Sequence, residues 1–101
     1  MPDLILLQKS TRKNKRYMIK FKNPTLTLHF GSLGANTFID NATDDTRDNY
    51  LKRHSVNEDW SFINPGSLSA YLLWNTKDIK KNIEIYKELF GITIERGAIK
   101  I

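Results

Sequence analysis

The sequence predicts a single α+β domain spanning residues 1–101, in which an N-terminal antiparallel sheet of three or four strands is packed by two to three C-terminal helices. Three observations predict this class. Apolar and polar residues alternate over residues 16–30, which is the period of a half-buried strand. Apolar residues recur at helical spacing over residues 79–90. The 101 residues allow one domain and leave little room for a second.

The strands are predicted in the first forty residues. Leu4–Lys9 is a short apolar segment, and the polar residues 10–15 that follow are typical of a turn. Arg16–Lys22 and Thr25–Phe30 both alternate, so they are expected to continue an antiparallel meander. One face of this sheet is apolar, and the other carries basic and polar side chains. Residues 37–39 are predicted to add a brief fourth strand.

Two glycines follow the third predicted strand. Gly31 and Gly34 favour a tight turn that needs a positive φ. A nest of backbone N–H groups that holds an anion is the alternative. The segment lacks the G-K-[ST] ending of a phosphate-binding loop and the third glycine of a dinucleotide fingerprint, and this favours the turn.

The first predicted helix covers residues 44–54. Thr43 is a suitable N-cap residue, and the acidic residues in the first turns have the sign that the helix dipole favours. Basic residues lie in the last turn, which is again the favoured sign. Residues 56–64 are predicted to form a loop.

Two further helices and a returning tail complete the prediction. The second helix covers about residues 67–75. The third is capped by Thr76 or Asp78 and ends at Gly91, a residue type that suits the position after a helix. Residues 92–101 are apolar enough to return to the sheet as a strand.

Composition excludes several classes of protein. The absence of cysteine excludes disulfides, thiolate catalysis and cysteine-based zinc sites. His29 and His54 lack the spacing of a metal motif, so neither a metal nor another cofactor is expected. No apolar run approaches the ~20 residues that span a bilayer, and the start of the chain does not resemble a signal peptide. We therefore expect an intracellular protein without membrane contact.

Enzymatic activity is not expected. A serine or threonine nucleophile needs a histidine base and an orienting acid, and no local pattern marks such a group. His54 beside Glu58 and Asp59 is the one arrangement suited to acid–base work, and it is a weak signal.

The positive charge is confined to the first two-fifths of the chain. Residues 1–39 hold seven basic side chains and one acidic, whereas residues 40–101 hold nine basic and ten acidic. Cations clustered without an acid release counterions from phosphates, so this segment predicts binding to a nucleic-acid backbone. Protection of a solvated sheet edge against aggregation is the alternative. The predicted nucleic-acid-binding residues are Lys9, Arg12, Lys13, Lys15, Arg16, Lys20, Lys22 and His29.

A second candidate site lies on one side of the first predicted helix. This polar cluster consists of Arg47, Tyr50, Arg53 and His54. The cluster is suited to holding a phosphate or a partner's carboxylate. Internal ion pairs between its arginines and nearby acids such as Glu58 are the alternative.

The large aromatic residues of the second half also allow two interpretations. Trp60, Tyr71 and Trp74 are suited to stacking on the bases of single-stranded nucleic acid. A small domain, however, needs its tryptophans in the core, and this favours burial.

An ordered series of short motifs runs through the chain. The motifs are His29-Phe30-Gly31-x-x-Gly34, Asp44-x-x-Arg47-x-x-Tyr50-x-x-Arg53-His54, Glu58-Asp59-Trp60 and Gly66-Ser-Leu-Ser-x-Tyr71-Leu-Leu-Trp74-Asn75. Over residues 4–90 this series resembles an uncharacterised family of small proteins from large nucleo-cytoplasmic DNA viruses of algae and amoebae. The chain departs from that pattern at residues 37–43, where relatives tend to carry a histidine and a lysine. Residues 17–34 also faintly resemble the hairpin of WGR domains, without its tryptophan and arginine.

The resemblance implies a viral context and supplies no activity or catalytic residues. Combined with the charge pattern, it predicts a small, basic, non-catalytic protein that binds nucleic acid through a cationic strand-turn-strand face. The alternative is a structural protein of the virion, a minor capsid or core component that docks on other proteins of virus or host. The expected location is the host cytoplasm or nucleus, or the virion.

Overall fold

The sheet is built mainly from the first third of the chain. The structure is a computed structural model that describes residues 2–101. The strands β1 (Asp3–Lys9), β2 (Lys15–Lys22) and β3 (Leu26–Ser32) form the predicted antiparallel meander. Their order in the sheet is β3-β2-β1-β4, so β2 and β1 are interior strands.

The fourth strand comes from the C-terminal tail. The short strand β4 (Thr93–Ile94) pairs parallel to β1, which makes the sheet mixed rather than wholly antiparallel. The pairing continues beyond β4, since the Leu7 N–H donates to the Ala98 carbonyl and the Lys100 N–H donates to the Leu7 carbonyl, both at 2.8 Å. The prediction that the tail returns to the sheet is confirmed.

The prediction of a strand at residues 37–39 is wrong. Phe38–Asp40 forms a 3₁₀ turn. The Asp40 carboxylate accepts bonds from the Thr37 N–H at 3.0 Å and the Thr37 hydroxyl at 2.7 Å, and Asn41 closes the turn at a φ of 75°. These local bonds satisfy the backbone without a neighbouring strand.

The helices form the other layer. The helix α1 (Asp44–Ser55) begins at the predicted cap, where the Thr43 hydroxyl accepts from the Thr46 N–H. The helix α2 (Pro65–Leu68) continues as a π-helical segment, Ser69–Leu73. The helix α3 (Ile79–Phe90) is capped by Asp78 and ends at Gly91 in the left-handed conformation. The three predicted helices are therefore confirmed.

The core lies between the inner face of the sheet and the second and third helical segments. Leu7, Ile19 and Phe21 of the sheet are fully buried, and Leu72 and Ile83 of the helical layer belong to the same cluster. The helix α1 has no buried residue and packs through a narrow stripe. Trp74 and Tyr71 join the core as favoured above, whereas Trp60 is half-buried and outside that cluster.

A β-bulge interrupts the alternation of buried and exposed side chains in β1. The register shifts between Leu4 and Leu6, and this leaves Ile5 exposed. As a result Leu4 and Leu7 both face the core although they are three residues apart.

The strand β3 does not end at Phe30, as the two glycines suggested, but continues to Ser32. Gly31 has a φ of 77°, so it bends the strand without ending it. A Cβ atom on Gly31 would lie 3.0 Å from Leu73 Cδ1 and 3.2 Å from Arg16 Cβ. Both the backbone angle and the close packing require glycine here.

A buried amide joins α3 to the segment before it. Asn82 is fully buried, and its Nδ2 donates to the carbonyls of Leu72 at 2.9 Å and Thr76 at 3.0 Å. Its Oδ1 accepts from the Thr76 N–H and hydroxyl at 3.1 and 2.6 Å. Every hydrogen-bonding position of the amide is therefore used.

We expect the substitution Asn82→Ala to lower the free energy of unfolding by about 3 kcal/mol, because it leaves several buried backbone groups unpaired. Urea denaturation measures the effect. The matched control is Asn49→Ala on the exposed surface of α1, which should change stability by less than about 0.5 kcal/mol. A loss below about 1 kcal/mol for Asn82→Ala would contradict the assigned role.

Candidate nucleic-acid interface

Five of the seven predicted phosphate-binding cations are unpaired in the described part of the chain. No carboxylate within residues 2–101 lies within ion-pair distance of them. They lie at the end of β1, in the β1–β2 turn and along β2. Together with His29 they form what we call the cationic surface: Lys9, Arg12, Lys13, Lys15, Lys20 and His29.

His29 shows that three of these cations converge. Its Nδ1 lies 2.7 Å from the Ser10 hydroxyl, and that hydroxyl also accepts from the Arg12 N–H at 3.0 Å. The pKa of His29 is lowered, first by loss of solvent around the ring and then by the positive charges of Arg12, Lys15 and Lys20. The β1–β2 turn and the middle of β2 thus contribute to one positive field.

The outer face of the sheet is less basic than predicted. Strand pairing places Gln8, Met18 and His29 in one row across the sheet, and Gln8 Nε2 lies 3.4 Å from the Met18 sulfur. Met18 is only 5% exposed, although it points away from the core. The centre of this face is therefore a covered apolar spot, with the cations of the turn on one side of it and Lys20 on the other.

Arg16 and Lys22 are engaged elsewhere in the molecule. The Arg16 guanidinium binds both oxygens of Asp40, at 2.5 and 2.7 Å, and its side chain is only 19% exposed. Lys22 Nζ lies 3.0 Å from Glu95 Oε2 at the other end of β2. These intramolecular pairs favour a structural role for both residues over phosphate contact.

The polar cluster on α1 is divided by the structure. Arg47 Nε donates to the carbonyls of Trp74 at 2.9 Å and Asn75 at 3.1 Å, and its guanidinium lies over the Phe38 ring. Arg47 therefore ties α1 to the end of the π-helical segment. The other three members of the cluster line a separate cleft.

This cleft, of about 410 Å³, lies where α1 meets β2, β3 and the π-helical segment. Tyr50, Arg53 and His54 of α1 line one part of it. Lys15 lines it as well, so one cation of the cationic surface also belongs to the cleft. We call it the α1 cleft.

A stack of rings forms a wall of the α1 cleft. The Tyr50 ring lies between His54, with centroids 4.0 Å apart, and Trp74, with centroids 4.2 Å apart. The pKa of Tyr50 is raised to about 12, first by burial and then by the negative charge of Glu58. Tyr50 is therefore a neutral packing residue at physiological pH.

Glu58 binds the outer ring of the stack, His54. His54 Nδ1 lies 2.7 Å from Glu58 Oε2, and Trp60 Nε1 donates to Glu58 Oε1 at 2.9 Å. Burial opposes ionisation of this carboxyl, but the bonds from His54 and Trp60 outweigh it and lower the pKa of Glu58. The internal tie to Glu58 is therefore made by His54 rather than by an arginine.

The sequence did not predict the α1 cleft as a unit. Lys15, Glu58 and Trp74 are far apart in the chain, and no spacing rule brings them together. The motif Glu58-Asp59-Trp60 was the one available signal, since an acid two residues before a tryptophan allows the bond from indole N–H to carboxylate that the structure shows.

Within residues 2–101, no three side chains of the metal-ligating types are grouped so that they would hold a metal ion. His29 lies in β3 and His54 in α1, and each has its own hydrogen-bond partner. The helices of this described range are also too short or too polar for a membrane span.

The comparisons with known proteins give one match. A family model described as "Family of unknown function (DUF5754)" matches residues 5–54. This is just under half of the chain, and it covers the meander, the 3₁₀ turn and all of α1 except Ser55. The chain is similar to that family over this part. No curated protein and no solved structure matches the chain.

The Arg16–Asp40 pair predicts a pH dependence of stability. Its bonds hold the pKa of Asp40 well below the usual range, so the pair stabilises the fold above the ordinary aspartate pKa near 4. This contribution is lost as the pH falls below that value. We expect Asp40→Asn to lower the free energy of unfolding by about 2 kcal/mol at pH 7 and to flatten its decline towards pH 3.

Urea denaturation across this pH range, with Asp45→Asn as the control, checks the prediction. Asp45 is exposed and forms no ion pair among the described residues, so its variant should keep the acid-induced decline. An Asp40→Asn variant with the same pH profile as the unmodified protein would contradict it.

Proposed function

We propose that the protein binds the phosphate backbone of nucleic acid through the cationic surface. The observation that carries this proposal is that five cations lie on the β1–β2 turn and its two strands with no carboxylate within ion-pair distance among the described residues. The charges of Arg12, Lys15 and Lys20 also contribute, after loss of solvent, to the lowered pKa of His29. Like charges held together without a carboxylate partner repel one another, and a bound polyanion relieves this repulsion.

The position of the charges argues against protection of a sheet edge. In the strand order β3-β2-β1-β4, Lys15 and Lys20 lie on β2, which is paired on both sides. Lys9 lies on β1, whose outer edge the tail covers as far as Leu7. Edge strands are where lysines oppose aggregation, and Lys15 and Lys20 are not on one.

Contacts of this kind position a protein on a strand without reading its bases. The β1–β2 turn carries Arg12 and Lys13 at its exposed tip, which suits contact with successive phosphates. The centre of the outer sheet face is a covered methionine, so base-edge recognition is not part of the proposal.

We also propose a viral origin, which the motif series implies.

The alternative function is a structural role in a virion. One observation favours it: an apolar hollow lies on the side of the molecule away from the cationic surface. Pro24, Leu26 and Phe90 line it beside the exposed Phe62, and an exposed apolar group of this kind suits contact with another protein. Mass spectrometry of purified virions tests this role, since a structural component is present in stoichiometric amount.

The backbone proposal is tested with the triple variant Arg12→Gln, Lys13→Gln, Lys20→Gln. We expect its affinity for a 20-nucleotide strand to fall. The slope of log K against log salt should decrease by about two to three units, because three phosphate contacts are lost. Fluorescence anisotropy over a series of salt concentrations measures both quantities.

The matched control is Lys80→Gln, Lys81→Gln, Lys100→Gln. It also lowers the formal net charge from +5 to +2, but its lysines lie on α3 and the tail and form no ion pair among the described residues. The control should keep the steep salt slope. If the two triple variants lost affinity and salt slope equally, the effect would depend on net charge alone. That result would refute the proposed surface.

A further inference from the structure

The α1 cleft contains two unpaired cations that come from different layers of the fold. Lys15 begins β2 and Arg53 lies in the last turn of α1, and both side chains are exposed. Neither forms an ion pair within residues 2–101. Two positive side chains that the fold brings to one concave site favour an anionic ligand.

The one acid that lines the cleft is already used. Both oxygens of Glu58 accept hydrogen bonds, one from His54 and one from Trp60. It forms no ion pair with Lys15 or Arg53 within residues 2–101. The carboxylate therefore orients His54 and leaves the two cations without a partner.

His54 contributes one further ring nitrogen to the cleft. Because its Nδ1 is bound to Glu58, its Nε2 is the nitrogen left for a ligand. This atom has no hydrogen-bond partner among the described residues. With its proton on Nδ1, the ring presents Nε2 as an acceptor, which suits the P–OH group of a partly protonated phosphate monoester.

We propose that the α1 cleft binds a phosphate monoester, supplied either by a free nucleotide or by the phosphorylated end of a nucleic-acid strand. A monoester carries about −1.5 to −2 charges near pH 7 and three terminal oxygens. A phosphodiester inside a strand carries one charge and two free oxygens. Two unpaired cations match the charge of the monoester better, and the ring stack adds an apolar wall beside it.

Lys15 connects this cleft with the cationic surface. It lines the cleft, and its charge also reaches His29. A strand that lies on the cationic surface would therefore bring its end to the cleft. The strand-end form of the proposal rests on the proposed function, whereas binding of a free nucleotide does not.

Titration calorimetry with adenosine 5′-monophosphate, adenosine and inorganic phosphate tests the site. Fluorescence anisotropy measures the affinity for one oligonucleotide with and without a 5′-phosphate. We expect the monophosphate and inorganic phosphate to bind and adenosine not to bind. The 5′-phosphate should raise oligonucleotide affinity about tenfold. Arg53→Gln and Lys15→Gln should each remove most of this gain.

Lys52→Gln is the matched control for Arg53→Gln, since it removes one charge from the neighbouring, exposed position of α1 outside the cleft lining. It should leave binding of the monophosphate unchanged. Equal effects of the two variants, or equal binding of adenosine and its monophosphate, would overturn the proposal.

The two proposals fail in different ways. The triple variant Arg12→Gln, Lys13→Gln, Lys20→Gln retains every cleft residue named here, so it should bind the monophosphate normally while it binds strands weakly. A chain that binds strands with a steep salt slope but shows no response to the monophosphate, to phosphate or to a 5′-phosphate refutes the cleft alone. A normal monophosphate response with unaltered strand binding in the triple variant refutes the surface alone.

Discussion

The close approach of Leu73 to Gly31 is the contact on which the rest of the structure depends. Because Gly31 has no side chain, the π-helical segment packs directly against β3, and Arg16 lies alongside on β2. Trp74 directly follows this segment in the chain and stacks on Tyr50 of α1. The α1 cleft exists because this packing brings the end of the helical layer close to the start of β2.

The molecule divides its basic residues between two uses. Arg16, Lys22 and Arg47 hold elements of the fold together through a carboxylate or backbone carbonyls. The cations around the β1–β2 turn have no such partner among the described residues, and three of them share one field at His29. The positive charge of the sheet that remains available for a ligand is therefore smaller than the sequence predicts. It lies on the β1–β2 turn and its two strands, and Lys15 also lines the α1 cleft.

Local patterns predicted much of the fold because the interactions behind them are local. The alternation of β2, the cap at Thr43 and the apolar spacing of α3 each depend on neighbouring residues, and each is confirmed. Residues 37–39 were mispredicted because a short apolar run fits a strand as well as a turn. The Thr37–Asp40 bonds decide between them. The bulge at Ile5 likewise needed the register of β2 to become visible.

The sequence by itself determined the α+β class, the three-stranded meander, the helices and the concentration of cations before residue 23. These properties follow from periodicity, capping and composition, which act over a few residues. Only the tertiary structure decided which cations are neutralised, that the tail and not residues 37–39 supplies the fourth strand, and which members of the α1 cluster meet Lys15. Such outcomes depend on contacts between residues that are distant in the chain, and those contacts exist only once the two layers have packed.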